Sequence, residues 1–149
     1  MNSEEYWQKF CQETKTDPNS VHVSWAFGYG EEVADELLVL VKKGVKRATT
    51  SAFDLYEKDD YVPKAGDYNI ILDGRGNPGC VTQTKVSEVV PFNSVTAEHA
   101  FLEGEGDKSL DYWRKVHTEF FKKEYSASDK TFNDNISCLC EYFELKYID

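Results

Sequence analysis

The chain has 149 residues, 40% hydrophobic and 14% aromatic, the length of one domain with enough apolar side chain to close a single core. Its 17 basic against 27 acidic residues leave a formal charge of −10, which excludes extended nonspecific DNA or RNA coating, because basic groups releasing counterions supply most of that affinity. No apolar run approaches the roughly 20 residues of a membrane-spanning helix, and the amino-terminal MNSEEYWQKF lacks the basic start of a secretory signal, so a cytoplasmic protein without membrane partners is expected.

Residues 3–14 have a helical pattern, with Ser3 as N-cap and Tyr6, Trp7, Phe10 and Cys11 on one stripe. Val21–Ala26 reads as a short strand. A second helix is expected from Glu31 to Lys43, its acids early and Lys42 and Lys43 late, as the helix dipole favours. Val33, Leu37, Leu40 and Val41 form its predicted buried stripe, and Gly44 its C′ residue. The middle of the chain reads as β: Lys46–Thr50, Tyr68–Leu72 and Cys80–Val90, the last two joined as a hairpin across the turn-rich segment 73–79. Two helices follow. Thr96 caps the one ending near Glu103, and Ser109 caps the one running to Tyr125 with Trp113, Val116, Phe120 and Phe121 inward. Ser137–Tyr147 reads as a final strand with Leu139, Phe143, Leu145 and Tyr147 on one face. Helices at unequal spacing break the β-α rhythm of a parallel sheet, so the prediction is one α+β domain over residues 1–149, built on a small, mostly antiparallel barrel.

The cysteines, Cys11, Cys80, Cys138 and Cys140, have no zinc-ligand spacing and read as reduced thiols. Cys138 and Cys140 alternate in a strand and are taken as small packers on one face.

Four segments carry candidate chemistry. Gly44-Val45-Lys46-Arg47-Ala48-Thr49-Thr50-Ser51 packs cations and hydroxyls just past a helix end, where a buried lysine beside a hydroxyl can form a base–nucleophile pair. The plainer reading is a basic helix end leading into a Thr-rich strand. In Glu98–Asp107, His99 and Glu103 stand one helical turn apart, and Glu103, Glu105 and Asp107 alternate with glycines, as a metal site, an acid–base site or a solvated loop would. Trp113, Arg114 and His117 offer an aromatic, a cation and an imidazole on one helix, suited to a base or phosphate or simply to core packing. Trp25–Gly30, with Trp25, Phe27 and Tyr29 beside glycines, is either a stacking platform or a hydrophobic staple under the next helix. No dinucleotide fingerprint, G-x-S-x-G elbow or H-E-x-x-H occurs, and no cofactor or metal is expected.

Taken in order, Trp25-Ala26-Phe27-Gly28, Ala34-Asp35-Glu36-Leu37-Leu38, Gly44-Val45-Lys46-Arg47-Ala48-Thr49, Glu103-Gly104-Glu105-Gly106-Asp107-Lys108-Ser109-Leu110, Trp113-Arg114 with His117, and Cys140-Glu141-Tyr142-Phe143-Glu144-Leu145 resemble the ASCH domain family, whose fold is similar to the PUA-like barrels of RNA-modification proteins. The resemblance implies a PUA-like α+β barrel decorated with helices, here with an N-terminal helical extension. Members have been proposed as RNA-binding modules, and some look like ribonucleases. A short bacterial branch hydrolyses the acetyl amide of N4-acetylcytidine with a lysine, a threonine three residues on, and a glutamate after a His-Ala pair. By likeness these map onto Lys46, Thr49 and Glu103 as catalytic residues. The chain is longer than that branch, with added N-terminal and penultimate helices and the E-G-E-G-D segment. Trp25, Phe27, Arg47, Glu105, Asp107, Trp113, Arg114 and His117 complete the expected ligand-binding set. The expected partner is a small nucleoside-like ligand or single-stranded RNA. A non-catalytic RNA-binding module and a metal-assisted ribonuclease are the alternatives.

Overall fold

The structure, a computed structural model, describes residues 1–28 and 30–149, so Tyr29 lies outside the described residues. Along the chain run α1 (Ser3–Thr14), β1 (His22–Trp25), α2 (Glu31–Lys42), β2 (Ala48–Ala52), β3 (Tyr68–Leu72), β4 (Pro78–Pro91), α3 (Ala97–Glu103), α4 (Leu110–Ser126) and β5 (Ser137–Tyr147). Single 3-10 turns at Phe53–Leu55 and Phe92–Ser94 follow β2 and β4.

The strands make one mixed sheet in the order β1-β3-β4-β5-β2, with β1 parallel to β3 and every other pair antiparallel. The α+β, mostly antiparallel class is as expected. Closure into a barrel is not: among the described residues β1 and β2 are the two free edges of the ladder. A cavity lined from both edges, with Trp25, Tyr56 and Tyr61 in its wall, lies between them. Paired strands stand about 4.8 Å apart, and side chains of that size between the edges prevent such an approach.

Three apolar clusters hold the layers. Tyr6, Trp7, Phe10 and Cys11 of α1 pack on Ile70 and Val81. Leu38 and Val41 of α2 pack with Phe27 on Ile71, Cys80 and Phe143. Trp113, Phe121 and Tyr125 of α4 and Ala100 of α3 pack with Phe92, Cys138 and Cys140. Both faces of β5 are therefore covered, which explains its run of buried residues from Cys138 to Glu141. All four cysteines are unpaired and buried. No helix among the described residues is long and apolar enough to cross a membrane.

Two expectations need correction. The N-cap of α1 is Asn2, not Ser3: its side chain accepts from Glu5 N while Glu5 reaches back to the Asn2 backbone, a reciprocal box that satisfies two orphan donors. The buried stripe of α2 is Ala34, Leu38 and Val41, whereas Val33 is exposed. The apolar run in this helix is wide enough for two overlapping stripes, and the second, Val33 with Leu37, walls a cavity, with Leu37 also resting against the core.

Candidate functional site

The site is built where the link from α2 to β2 meets the end of α3. Gly44, at φ 74°, ends α2, and Val45 N and Lys46 N both donate back to Leu40 O, at 3.0 and 3.1 Å. Arg47 N donates to Leu102 O at 2.6 Å and Arg47 O accepts from Phe143 N at 3.0 Å, which locks this link between α3 and β5. Thr96 caps α3 by accepting from His99 N. Gly104 ends α3 at φ 71°, and a Cβ there would lie 2.6 Å from Val45 O, so only glycine lets the acidic loop press against the lysine segment.

Lys46 is 1% exposed and Glu103 2%. The ammonium donates to Glu105 Oε2 at 2.8 Å, Ala48 O at 2.9 Å and Glu103 Oε1 at 3.2 Å, and lies 5.2 Å from the centre of the Phe27 ring. Glu103 Oε2 accepts from Trp113 Nε1 at 2.5 Å and Thr50 Oγ1 at 2.7 Å, with His99 Nε2 at 3.0 Å and His117 Nε2 at 3.6 Å. His99 Nε2 also lies 2.6 Å from Thr50 Oγ1. Because the Thr50 hydrogen is spent on Glu103, His99 donates from Nε2, and its buried Nδ1 has no partner among the described residues. His117 is set in turn by Nδ1 to Trp113 O at 2.9 Å, and its ring stacks on Trp113 at 4.2 Å.

Burial works against charge on both central groups and is the largest single influence on each, but it loses. The Lys46 ammonium, then the hydrogen bond from His99 and the charge at His117, hold the Glu103 carboxyl well below the usual carboxylate range. Glu103 and Glu105 likewise hold Lys46 above its ordinary value. The resting pair is carboxylate and ammonium.

This cluster opens into a cavity of about 260 Å³, walled by Phe27, Val33, Leu37, Val116 and Phe120 and floored by Lys46, Thr50, Glu103, Glu105 and His117. Thr49 also borders it, yet no hydrogen bond joins Thr49 to Lys46. Of the expected binding residues, Phe27, Glu105 and His117 line the cavity, and Trp113 supports it from behind.

Four do not reach it. Trp25 lines the other cavity and gives its indole N–H to Asn69 Oδ1. The Arg47 side chain is exposed, because strand alternation turns it away from buried Lys46 and Ala48. Asp107 accepts from Ser109 N at 2.9 Å in the turn that opens α4, and the Ser109 hydroxyl, then this backbone bond, lower its pKa. Arg114 clamps the turn after β4, donating to Phe92 O, Asn93 O and Val95 O. Consequently Glu103, Glu105 and Asp107 do not converge, and among the described residues no cluster of three His, Cys, Asp or Glu is placed to hold a metal.

Two participants were not put forward from sequence. His99 was legible as the partner of Glu103 one turn away but was not assigned a role. Thr50 was passed over for Thr49, although Ala48, Thr50 and Ala52 alternate as the buried face of β2.

A sequence model of the ASCH domain matches residues 23–147, and the chain belongs to the ASCH domain family. A crystallised protein from Enterococcus faecalis V583, EF3133, is 35% identical with a TM-score of 0.88, over 99% of this chain and 94% of that one. An ASCH domain from Lactobacillus crispatus JV V101 is 26% identical with a TM-score of 0.87, over 96% and 95% of the two chains. Hypothetical protein PH0355, at 22% identity and TM-score 0.53 over 83% of this chain and 99% of that one, shares the fold alone. No curated protein matches the sequence.

Proposed function

We propose that the Lys46–Glu103–Glu105 cavity takes a neutral, nucleoside-like ligand and hydrolyses an amide on it, an N4-acylated cytidine being the type substrate. The carrying observation is that its one lysine is met by two carboxylates. A cavity lined by one such cation and two anions repels phosphate, and at about 260 Å³ it sits below the usual range of roughly 300–1,000 Å³, so it suits a single small ligand.

Lys46, an ammonium at rest, is suited to stabilise a developing oxyanion rather than to begin as the base. Glu105, the carboxylate with its side chain 24% exposed, is the group left to accept a proton. Water, positioned by Thr49, adds to the acyl carbonyl while Glu105 takes the proton. The carbonyl oxygen becomes an oxyanion beside Lys46. The C–N bond then breaks, the proton passes from Glu105 to the leaving amine, and acid and amine depart. Glu103, with Oε2 already saturated, keeps Lys46 charged and in place. Phe27 supplies the apolar wall for a base.

A second reading, a PUA-like module that binds single-stranded RNA without chemistry, is favoured by Lys42, Lys43 and Arg47, all exposed on one short stretch. Incubating wild type, Lys46→Met and Glu105→Gln with N4-acetylcytidine separates the two. Turnover by wild type alone supports the hydrolase. Absence of turnover at high enzyme concentration, with RNA affinity that falls steeply with salt, supports the module.

A further inference from the structure

The second cavity, about 320 Å³, lies in the gap between β1 and β2. Its wall includes Trp25, Tyr56 and Tyr61, with Thr49 and Ser51 from β2 and Glu141 from β5. Glu141 is 6% exposed and has neither hydrogen bond nor ion pair among the described residues. A buried carboxylate without a donor is costly, and native proteins pair such groups.

No cation in the wall pairs it among the described residues, and the donors at hand are neutral. The Trp25 indole N–H goes to Asn69 Oδ1 at 3.1 Å. The Tyr61 hydroxyl goes to Asp67 Oδ2 at 2.6 Å, and the Tyr56 hydroxyl is joined to Ser51 Oγ at 3.1 Å. Among the described residues no lysine, arginine or histidine lines the cavity. The surface left to a ligand is therefore aromatic carbon, neutral hydroxyl and one carboxylate. A metal ion needs several oxygen ligands, whereas aromatic walls with a single anion favour a weakly hydrated organic cation.

We propose that this gap is a second binding site, which takes a small organic ammonium group against the Glu141 carboxylate and the rings of Trp25, Tyr56 and Tyr61. The site stands apart from the hydrolytic reading of the first cavity, although Thr49 borders both.

One consequence follows from the surroundings of Glu141. Its cross-strand neighbours, Thr49 on β2 and Ser87 on β4, are neutral, and Ser87 Oγ donates to Pro63 O. The charged group acting on it is Asp67. Burial, with Asp67 second, pushes the Glu141 carboxyl up to about 7. An entering cation must find it ionised, so affinity falls about fivefold in the first unit below pH 7 and approaches tenfold per unit further down.

The test is an NMR titration of the full chain at pH 8 with choline and with its uncharged isostere 3,3-dimethyl-1-butanol, followed at the Trp25 indole N–H. Choline is expected to give a saturable shift centred on Trp25 and Tyr56, with the isostere at least tenfold weaker. Glu141→Gln should lose at least tenfold in choline affinity, and wild type should lose about fivefold between pH 7 and pH 6. Equal binding of choline and isostere, no saturable shift, or shifts centred on Phe27 and His117 overturn the proposal. Should Glu141→Gln fail to fold, the isostere comparison and the pH series on wild type decide alone.

Discussion

Thr50 donates to Glu103 across 53 residues of chain, Oγ1 to Oε2 at 2.7 Å, and this bond ties the buried face of β2 to the end of α3. Replacing Thr50 by valine keeps the shape and removes one donor from a buried carboxylate. Such a loss costs about 1–3 kcal/mol, read from urea unfolding. Thr50→Ser keeps the hydroxyl and should cost clearly less. Equal losses for the two variants count against the bond.

Lys46 and Glu103 bury their charges together, at 3.2 Å. Removing Lys46 strands Glu103, whereas removing Glu103 leaves Lys46 paired with Glu105, so Lys46→Met should destabilise by about 3–5 kcal/mol and Glu103→Gln by less. The double variant should cost less than the two singles added, because neither charge is then left without its partner. Strict additivity in a denaturation cycle contradicts the coupling.

Acid and base act on this pair from opposite sides. Glu103 is depressed in the folded chain, so its stabilisation is complete above the unfolded value of about 4.3 and drains away as pH falls through the folded value. Lys46 is raised, so its contribution is complete below about 10.4 and is lost as pH rises through its folded value. Urea midpoints measured from pH 2 to 11 should show both losses, and Glu103→Gln should flatten the acid limb.

Glu141 gives the opposite sign for a carboxylate. Its folded value of about 7 lies above the unfolded one, so stability falls as pH rises from about 4.3 to 7 and is level beyond. Glu141→Gln should therefore match wild type near pH 4 and exceed it at pH 8 by roughly 3 kcal/mol. A wild type that does not lose stability relative to Glu141→Gln across that window leaves the buried acid unexplained.

Arg114 and Asp107 serve the scaffold. Arg114→Ala removes the clamp on the carbonyls of Phe92, Asn93 and Val95 and should lower stability by about 1–3 kcal/mol. Asp107→Asn keeps an acceptor for Ser109 N and should leave nucleoside binding in the first cavity unchanged. Impaired binding in Asp107→Asn would place that residue in the pocket after all.

Much of this was legible along the chain. The limits of β3 and β5, the Thr96 and Ser109 caps and the C′ glycine at 44 are set by neighbours within a few residues, and they stand as expected. Lys46, Glu103 and Glu105 were visible because charges so dense around a lysine, or so regularly spaced by glycine, serve no local structural need. The choice between Thr49 and Thr50 was harder, since one residue of register turns every side chain of a strand to the other face.

The sequence by itself determined the family, through the likeness of its ordered motifs, and also the α+β class and the two oppositely charged segments, because periodicity, capping and composition act over short stretches of chain. Tertiary structure alone decided that Lys46 sits charged between two carboxylates, that Arg114 grips a backbone turn instead of a ligand, and that β1 and β2 stand apart around Glu141. Those outcomes rest on residues some 20 to 120 positions apart, where burial and charge from distant elements outweigh any local preference.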